Sequence, residues 1–180
     1  VSVPSSSDDR TNNAEWGTTR SKVVEWHDPQ ILASVVASMS GLEFLRAIRD
    51  GVLPPPPIAQ LIGSRIVEVE VGTVVFECEP DEAVYNPIGL VHGGLVCTLA
   101  DSVTGCAVQS TLEAGWVYTS IDINVSYLRA VTADSGTLRA TGTITRPGRR
   151  VAFASAEIVD GSGKVVASAT SSCLVIAPTL

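Results

Sequence analysis

The spacing of apolar and polar residues divides the chain into a helical first part and a strand-rich remainder. From Asp28 to Met39 the run Asp28-Pro29-Gln30-Ile31-Leu32-Ala33-Ser34-Val35-Val36 predicts a helix capped by Asp28, with Pro29 in its first position. A second helix follows from Ser40 to Arg49. Ser40 and Glu43 match a capping box, and Leu42, Leu45 and Ile48 share one face. Gly51 ends it, and Pro54 to Pro57 predict a stiff extended spacer. From Ile62 the period changes to two, predicting a strand to Val71, a reversal at Val71-Gly72, and a second strand from Thr73 to Glu79. Asn86 to Val91 reads as a loop. Gly93 to about Leu112 is apolar nearly all round, which predicts a buried helix. Four strand-like segments follow at 117–129, 136–146, 150–160 and 164–176, separated by turn-rich Thr132 to Gly136, Pro147-Gly148 and Asp160 to Gly163. Two strands, a buried helix and a meander of four strands make an α+β fold, one antiparallel sheet wrapped around a helix.

This order predicts a disordered arm over 1–22, a helical extension with its Pro-rich spacer over 23–59, and one folded domain over 60–180. The arm is rich in Ser, Thr, Asn and Asp and offers too few apolar anchors to offset ordering entropy. The formal net charge of −7 argues against a nucleic-acid surface. The four cysteines, Cys78, Cys97, Cys106 and Cys173, form no C-x-x-C pair and sit in apolar runs, so they read as small buried hydrophobes of a reducing compartment. No stretch supplies the ~18 uninterrupted apolar residues of a membrane span, and the start of the chain lacks a basic-then-apolar signal layout. The expectation is a cytoplasmic protein without membrane or nucleic-acid partners.

Chemistry concentrates around the buried helix. A glycine pair, Gly93-Gly94, opens it, leaving backbone N–H groups free to meet an oxygen. Two turns later Asp101 stands among core residues, although Asp is a poor mid-helix residue and burying an unpaired carboxylate costs several kcal/mol. Such a group is a candidate nucleophile or general base. With two widely separated histidines, His27 and His92, and no cysteine cluster, no metal site is expected.

The segment Asn86-Pro87-Ile88-Gly89-Leu90-Val91-His92-Gly93-Gly94, followed by Asp101, resembles the acyl-CoA thioesterases of the hotdog-fold superfamily, in particular the phenylacetate-pathway (PaaI-like) branch. Thr119 to Arg129 is similar to that family's first strand after the helix, and Arg146-Pro147-Gly148-Arg149-Arg150 to a later turn. The resemblance runs from about residue 60 to 177. It implies that Asp101 attacks the thioester or activates water, and that the Gly93 N–H meets the thioester oxygen. It further implies that Asn86 bonds the thioester or the water across the site, and that Ser120, preferred over its neighbour Thr119, helps hold the water. His92 would order the loop through hydrogen bonds at the substrate-binding end. Arg129, Arg146, Arg149 and Arg150, with Gly148 in the turn, are the candidates to hold the phosphates of coenzyme A, whose geometry guanidinium forks match.

The implied activity is hydrolysis of an acyl- or aryl-CoA thioester to free acid and CoA, with no cofactor beyond the CoA that the substrate carries. The implied assembly is a homodimer or homotetramer in which Asn86 and Gly93 of one subunit face Asp101 of another. Two alternatives are weaker. A hotdog enoyl-CoA hydratase needs an Asp and a His about one turn apart, whereas Gly105 and Cys106 follow Asp101 at that distance. A non-catalytic acyl-CoA-binding protein has no need of the carboxylate.

Overall fold

The computed structural model describes residues 16–178. Three short helices, α1 (Gln30–Val35), α2 (Gly41–Arg49) and α3 (Pro57–Ile62), precede the sheet. Strands β1 (Ser64–Glu70) and β2 (Thr73–Cys78) then lead into the long helix α4 (Gly93–Gln109). Four further strands follow: β3 (Val117–Tyr127), β4 (Leu138–Arg146), β5 (Val151–Val159) and β6 (Val165–Ile176). All pair antiparallel in one six-stranded sheet of order β1-β2-β4-β5-β6-β3.

The sheet curls around α4 because most of that helix is apolar, with Thr98, Asp101 and Ser102 its half-buried polar positions. Leu99, Ala100, Val103, Thr104, Ala107 and Val108 are all fully buried along it. Thr104 is tolerated there because its hydroxyl donates back to the carbonyl of Ala100 at 2.9 Å. Inward residues of the strands, among them Val74, Leu138, Ala140 and Ile158, meet the helix and complete the core.

The elements fall close to their predicted bounds, with three corrections. First, α1 begins at Gln30 with Pro29 in the capping position, and Asp28 stands one residue earlier with its carboxylate accepting from the Gln30 N–H at 2.9 Å. The helix is also shorter than predicted and gives way to a 3-10 turn at Val36–Ser38; none of its residues is buried, so no packing extends it. Second, the proline spacer ends early. Pro57 starts α3, where its missing N–H costs nothing, and Gly63 ends the helix at φ 69°. Third, the meander has three strands, not four. β2 offers β4 an open edge, and the pairs from Thr73↔Thr143 to Cys78↔Leu138 fill it. β3 therefore takes the opposite edge against β6, with Val117↔Ile176 and Tyr127↔Ala167 marking its ends.

α2 is tied to the sheet, as its apolar face requires. Leu45 is 3% exposed within the core, the Ser40–Glu43 capping box forms, and the Arg46 guanidinium donates to the Val69 carbonyl at 3.2 Å. The preceding segment is also anchored. Lys22 reaches Asp81 at 2.7 Å and Arg20 pairs with Glu82, so the unanchored arm predicted over 1–22 does not extend to these two residues. Residues 1–15 of that expectation lie outside the described part of the chain. Among the described residues, no helix is long and apolar enough to cross a membrane.

Candidate active site

The N-terminus of α4 is built by His92 and Gly93. His92 occupies the capping position, and its Nδ1 accepts from the Gly94 N–H at 2.8 Å. The imidazole thus spends its Nδ1 lone pair on the helix start. The Gly93 N–H, in the first turn, has no intrahelical acceptor by geometry. Tyr127 of β3 packs across Gly93 and donates from its hydroxyl to the Gly93 carbonyl at 3.0 Å. A Cβ at Gly93 would lie 3.1 Å from the phenol ring, so any larger residue must displace it.

Asn86 closes the preceding loop. Its side-chain oxygen accepts from the N–H groups of Ile88 and Leu90, both at 3.1 Å, while its own N–H donates to the Leu90 carbonyl at 2.7 Å. The carboxamide oxygen is therefore committed to the loop, which leaves the NH₂ end for a ligand. Asn86, Gly93, Tyr127 and Arg129 line one cavity of about 290 Å³.

Asp101 lies elsewhere. It is eight residues beyond Gly93, about 12 Å along the helix axis, and half-buried. Ser120 Oγ donates to Asp101 Oδ1 at 2.7 Å. A register shift between Ser120 and Asp122 places an extra residue, Ile121, in β3 opposite β6. Such a bulge re-aims neighbouring side chains, and here Ser120 rather than Thr119 bonds the carboxylate. Ser120 belongs to a second cavity, of about 450 Å³. One chain thus carries two separate groups, Asn86 with Gly93 and Asp101 with Ser120, and does not bring them together.

The arginines divide in the same way. Arg129 follows the end of β3 and donates to the Val165 carbonyl. The Arg146–Arg150 turn lies at the other end of the sheet, since Val151 pairs with Leu174 and Leu174 with Thr119. Gly148 has a structural reason to be glycine: a Cβ there would stand 1.9 Å from the Val151 carbonyl oxygen. Arg129 and the Arg146–Arg150 turn therefore fall at opposite ends of the sheet.

Sequence reasoning missed Tyr127 and Tyr118. Tyr118 lies over Gly105 of α4, where a Cβ would fall 2.1 Å from the phenol oxygen. A glycine one turn after Asp101, in the middle of a buried helix, was the available signal. Burial pushes the Tyr118 phenol well above its usual range, with Cys106 and Asp101 adding to the effect. Burial likewise raises the Cys106 thiol to about 12, helped by the Asp101 carboxylate. All four cysteines are free thiols.

Comparison with known proteins gives this geometry a context. A family model described as the thioesterase superfamily matches residues 88–167. Human acyl-coenzyme A thioesterase 13 is 30% identical over 103 residues, which are 57% of this chain and 72% of that protein. The phenylacetic acid degradation-related protein of Ralstonia eutropha JMP134 superposes with a TM-score of 0.67 at 32% identity, over 72% of this chain and 98% of its own. A thioesterase protein of Streptococcus pneumoniae TIGR4, solved with coenzyme A, superposes with a TM-score of 0.59 at 26% identity, over 65% of this chain and 91% of its own.

Proposed function

The chain belongs to the thioesterase superfamily as a hotdog-fold thioester hydrolase, and from that premise we propose that it cleaves acyl- or aryl-CoA thioesters at a site completed by a second subunit. The observation that carries this is the 2.7 Å bond from Ser120 to Asp101, which fixes one carboxylate oxygen while the other has no hydrogen-bond donor among the described residues.

In the proposed reaction Asp101 takes a proton from water as the water attacks the thioester carbon, or attacks that carbon itself. Either way negative charge grows on the thioester oxygen, where the Gly93 N–H and the N-terminus of α4 stabilise it. Collapse of the tetrahedral species breaks the C–S bond. When water attacks, CoA leaves as the thiolate and takes up the proton held by Asp101, and the free acid remains. When Asp101 attacks, CoA leaves behind a mixed acyl–Asp101 anhydride, which water then hydrolyses to the free acid and the Asp101 carboxylate, its proton passing to the thiolate. No cofactor enters beyond the CoA of the substrate. Arg129 and the Arg146–Arg150 turn are the groups proposed to receive its phosphates.

The edge that β3 leaves open supports a shared site. Seven residues separate Ser120 from Tyr127, about 23 Å of extended strand. Two copies of β3 laid antiparallel about Ile123 and Asn124 would carry the Tyr127 end of one subunit to the Ser120 end of the other. Asn86 and Gly93 then approach the partner's Asp101, and the unpaired edge is removed. Free thiols and the absence of an apolar spanning helix among the described residues suit the proposed cytoplasmic location.

The test is release of free thiol from a panel of acetyl-, hexanoyl-, benzoyl- and palmitoyl-CoA by the purified protein. Turnover of at least one thioester that is abolished in Asp101→Asn is the expected result. A folded protein that cleaves none of them overturns the proposal.

A further inference from the structure

The cavity beside Ser120 is partly walled by the N-terminal extension. Val36 follows α1, and Phe44 and Leu45 belong to α2; they face Cys106 of α4 and Tyr118 and Ser120 of β3 across a space of about 450 Å³. The extension is held there firmly. The Gly41 N–H donates to the Leu112 carbonyl at 3.0 Å just past the end of α4, and Gly41 sits so close to Gln109 that a Cβ would lie 1.7 Å from its carbonyl oxygen. The family model begins at residue 88, so α1 and α2 lie outside it.

Resting on the hydrolase reading above, we propose that this recess receives the acyl group of the substrate, and that Val36 and Phe44 set the size of acyl group the enzyme accepts. Ser120 fixes the direction. It bonds Asp101 and also lines the recess, so an acyl carbon placed for attack at Asp101 has this apolar space next to it. The walls are mostly apolar, with Gln109, Thr119 and Ser120 the polar exceptions, which suits a hydrocarbon group better than the phosphates of CoA. The volume is at the small end for ligand cavities, which run from ~300 to ~1,000 Å³. α2, pinned by Leu45 and Arg46, obstructs extension of a long chain across the sheet. Compact acyl groups fit; long straight chains meet Phe44.

The experiment uses the full chain and two variants that act in opposite directions. Phe44→Ala enlarges the recess, and kcat/KM for palmitoyl-CoA should rise at least tenfold relative to hexanoyl-CoA. Val36→Phe fills it, and kcat/KM for hexanoyl-CoA should fall at least tenfold relative to acetyl-CoA. Circular dichroism identifies any variant that fails to fold, and Phe44→Leu then replaces Phe44→Ala with the same expected direction. Calorimetric Kd values for S-hexyl-CoA and S-hexadecyl-CoA, thioethers that cannot be hydrolysed, should follow the same ratios without any turnover. If wild-type protein cleaves nothing but the thioether ratios shift as stated, the hydrolase reading falls and the acyl recess stands. If folded variants leave both the rate ratios and the thioether ratios unchanged, the extension plays no part in acyl selection and the proposal is overturned.

Discussion

Ser120 Oγ stands 2.7 Å from Asp101 Oδ1, joining the edge strand β3 to the buried helix α4. The bond depends on the bulge at Ile121, and it holds the carboxylate in one orientation. Hydrogen bonds to a charged group are worth about 1.5–3 kcal/mol. Ser120→Ala should therefore reduce kcat by about ten- to a hundredfold. Asp101→Asn removes the base or nucleophile and should cost two decades or more while the fold survives. Steady-state thiol release with matched melting curves checks both. A Ser120→Ala enzyme at full rate would mean that the serine is a plain strand hydroxyl.

Separation of the two half-sites has a consequence for mixed oligomers. Asp101→Ala and Gly93→Val subunits should each be inactive alone, since one lacks the carboxylate and the other crowds the α4 N-terminus against Tyr127. Unfolded together and refolded, they should recover about a quarter of wild-type activity, because half the dimers are hybrids with one intact site each. Sedimentation should show a dimer or larger. Full activity in a monomer would contradict the shared site.

Alkaline pH should destabilise the protein through its buried thiols. The Cys106 thiol is raised by burial to about 12 and the Cys78 thiol to about 11. In the unfolded chain a thiol ionises near ~8.5, so between that pH and the folded value the native state holds protons that the unfolded state has lost. Stability is then full below pH ~8.5 and declines as pH rises, by at most about 1.4 kcal/mol per unit for each thiol. Tm measured from pH 7 to 11 should fall above 9, less steeply in Cys106→Ala than in wild type.

Much of this was legible in the chain because the informative signals are local. The Ser40–Glu43 box, the glycine pair opening α4 and the alternation along β1, β2 and β4 to β6 depend on near neighbours, and they place those elements within a few residues. The position of β3 was not local. It is set by competition between β2 and β6 for partners, which periodicity does not record. α3 was hidden by the prolines in front of it, although proline in a first helical turn is harmless. In the candidate site, the resemblance named Asn86, Gly93 and Asp101 but said nothing of Tyr127, which reaches Gly93 from a strand 34 residues away. Nor does sequence distance record that Arg129 and the Arg146–Arg150 turn, both candidates for the CoA phosphates, lie at opposite ends of the sheet.

Gly105 tests the packing behind Asp101. Its missing side chain makes room for Tyr118, whose oxygen would be 2.1 Å from an added Cβ. Gly105→Ala improves helix propensity by about 1 kcal/mol, yet overpacking typically costs about 1–3 kcal/mol. The net effect should be a lower Tm and a displaced Tyr118. Gly105→Ala combined with Tyr118→Leu should recover the loss, which a double-mutant cycle would show as a coupling.

The docking of the extension can be loosened without touching Asp101 or Ser120. Gly41→Ala drives a Cβ into the backbone carbonyl of Gln109, and α2 must shift as a body because neither partner can rotate away. A loss of about 1–3 kcal/mol is expected, the usual cost of forcing atoms into a packed contact. Deleting residues 1–50 should cost more, since Leu45 is then removed from the core and a buried leucine contributes about 1.5–3 kcal/mol. Thermal melts of the two variants against wild type give the order: wild type most stable, Gly41→Ala lower, the deletion lowest. Acetyl-CoA has no acyl body to meet the wall at Val36 and Phe44, so its turnover should change less in folded Gly41→Ala than that of hexanoyl-CoA. Equal melting temperatures in all three proteins would show that α1 and α2 rest on the domain without stabilising it.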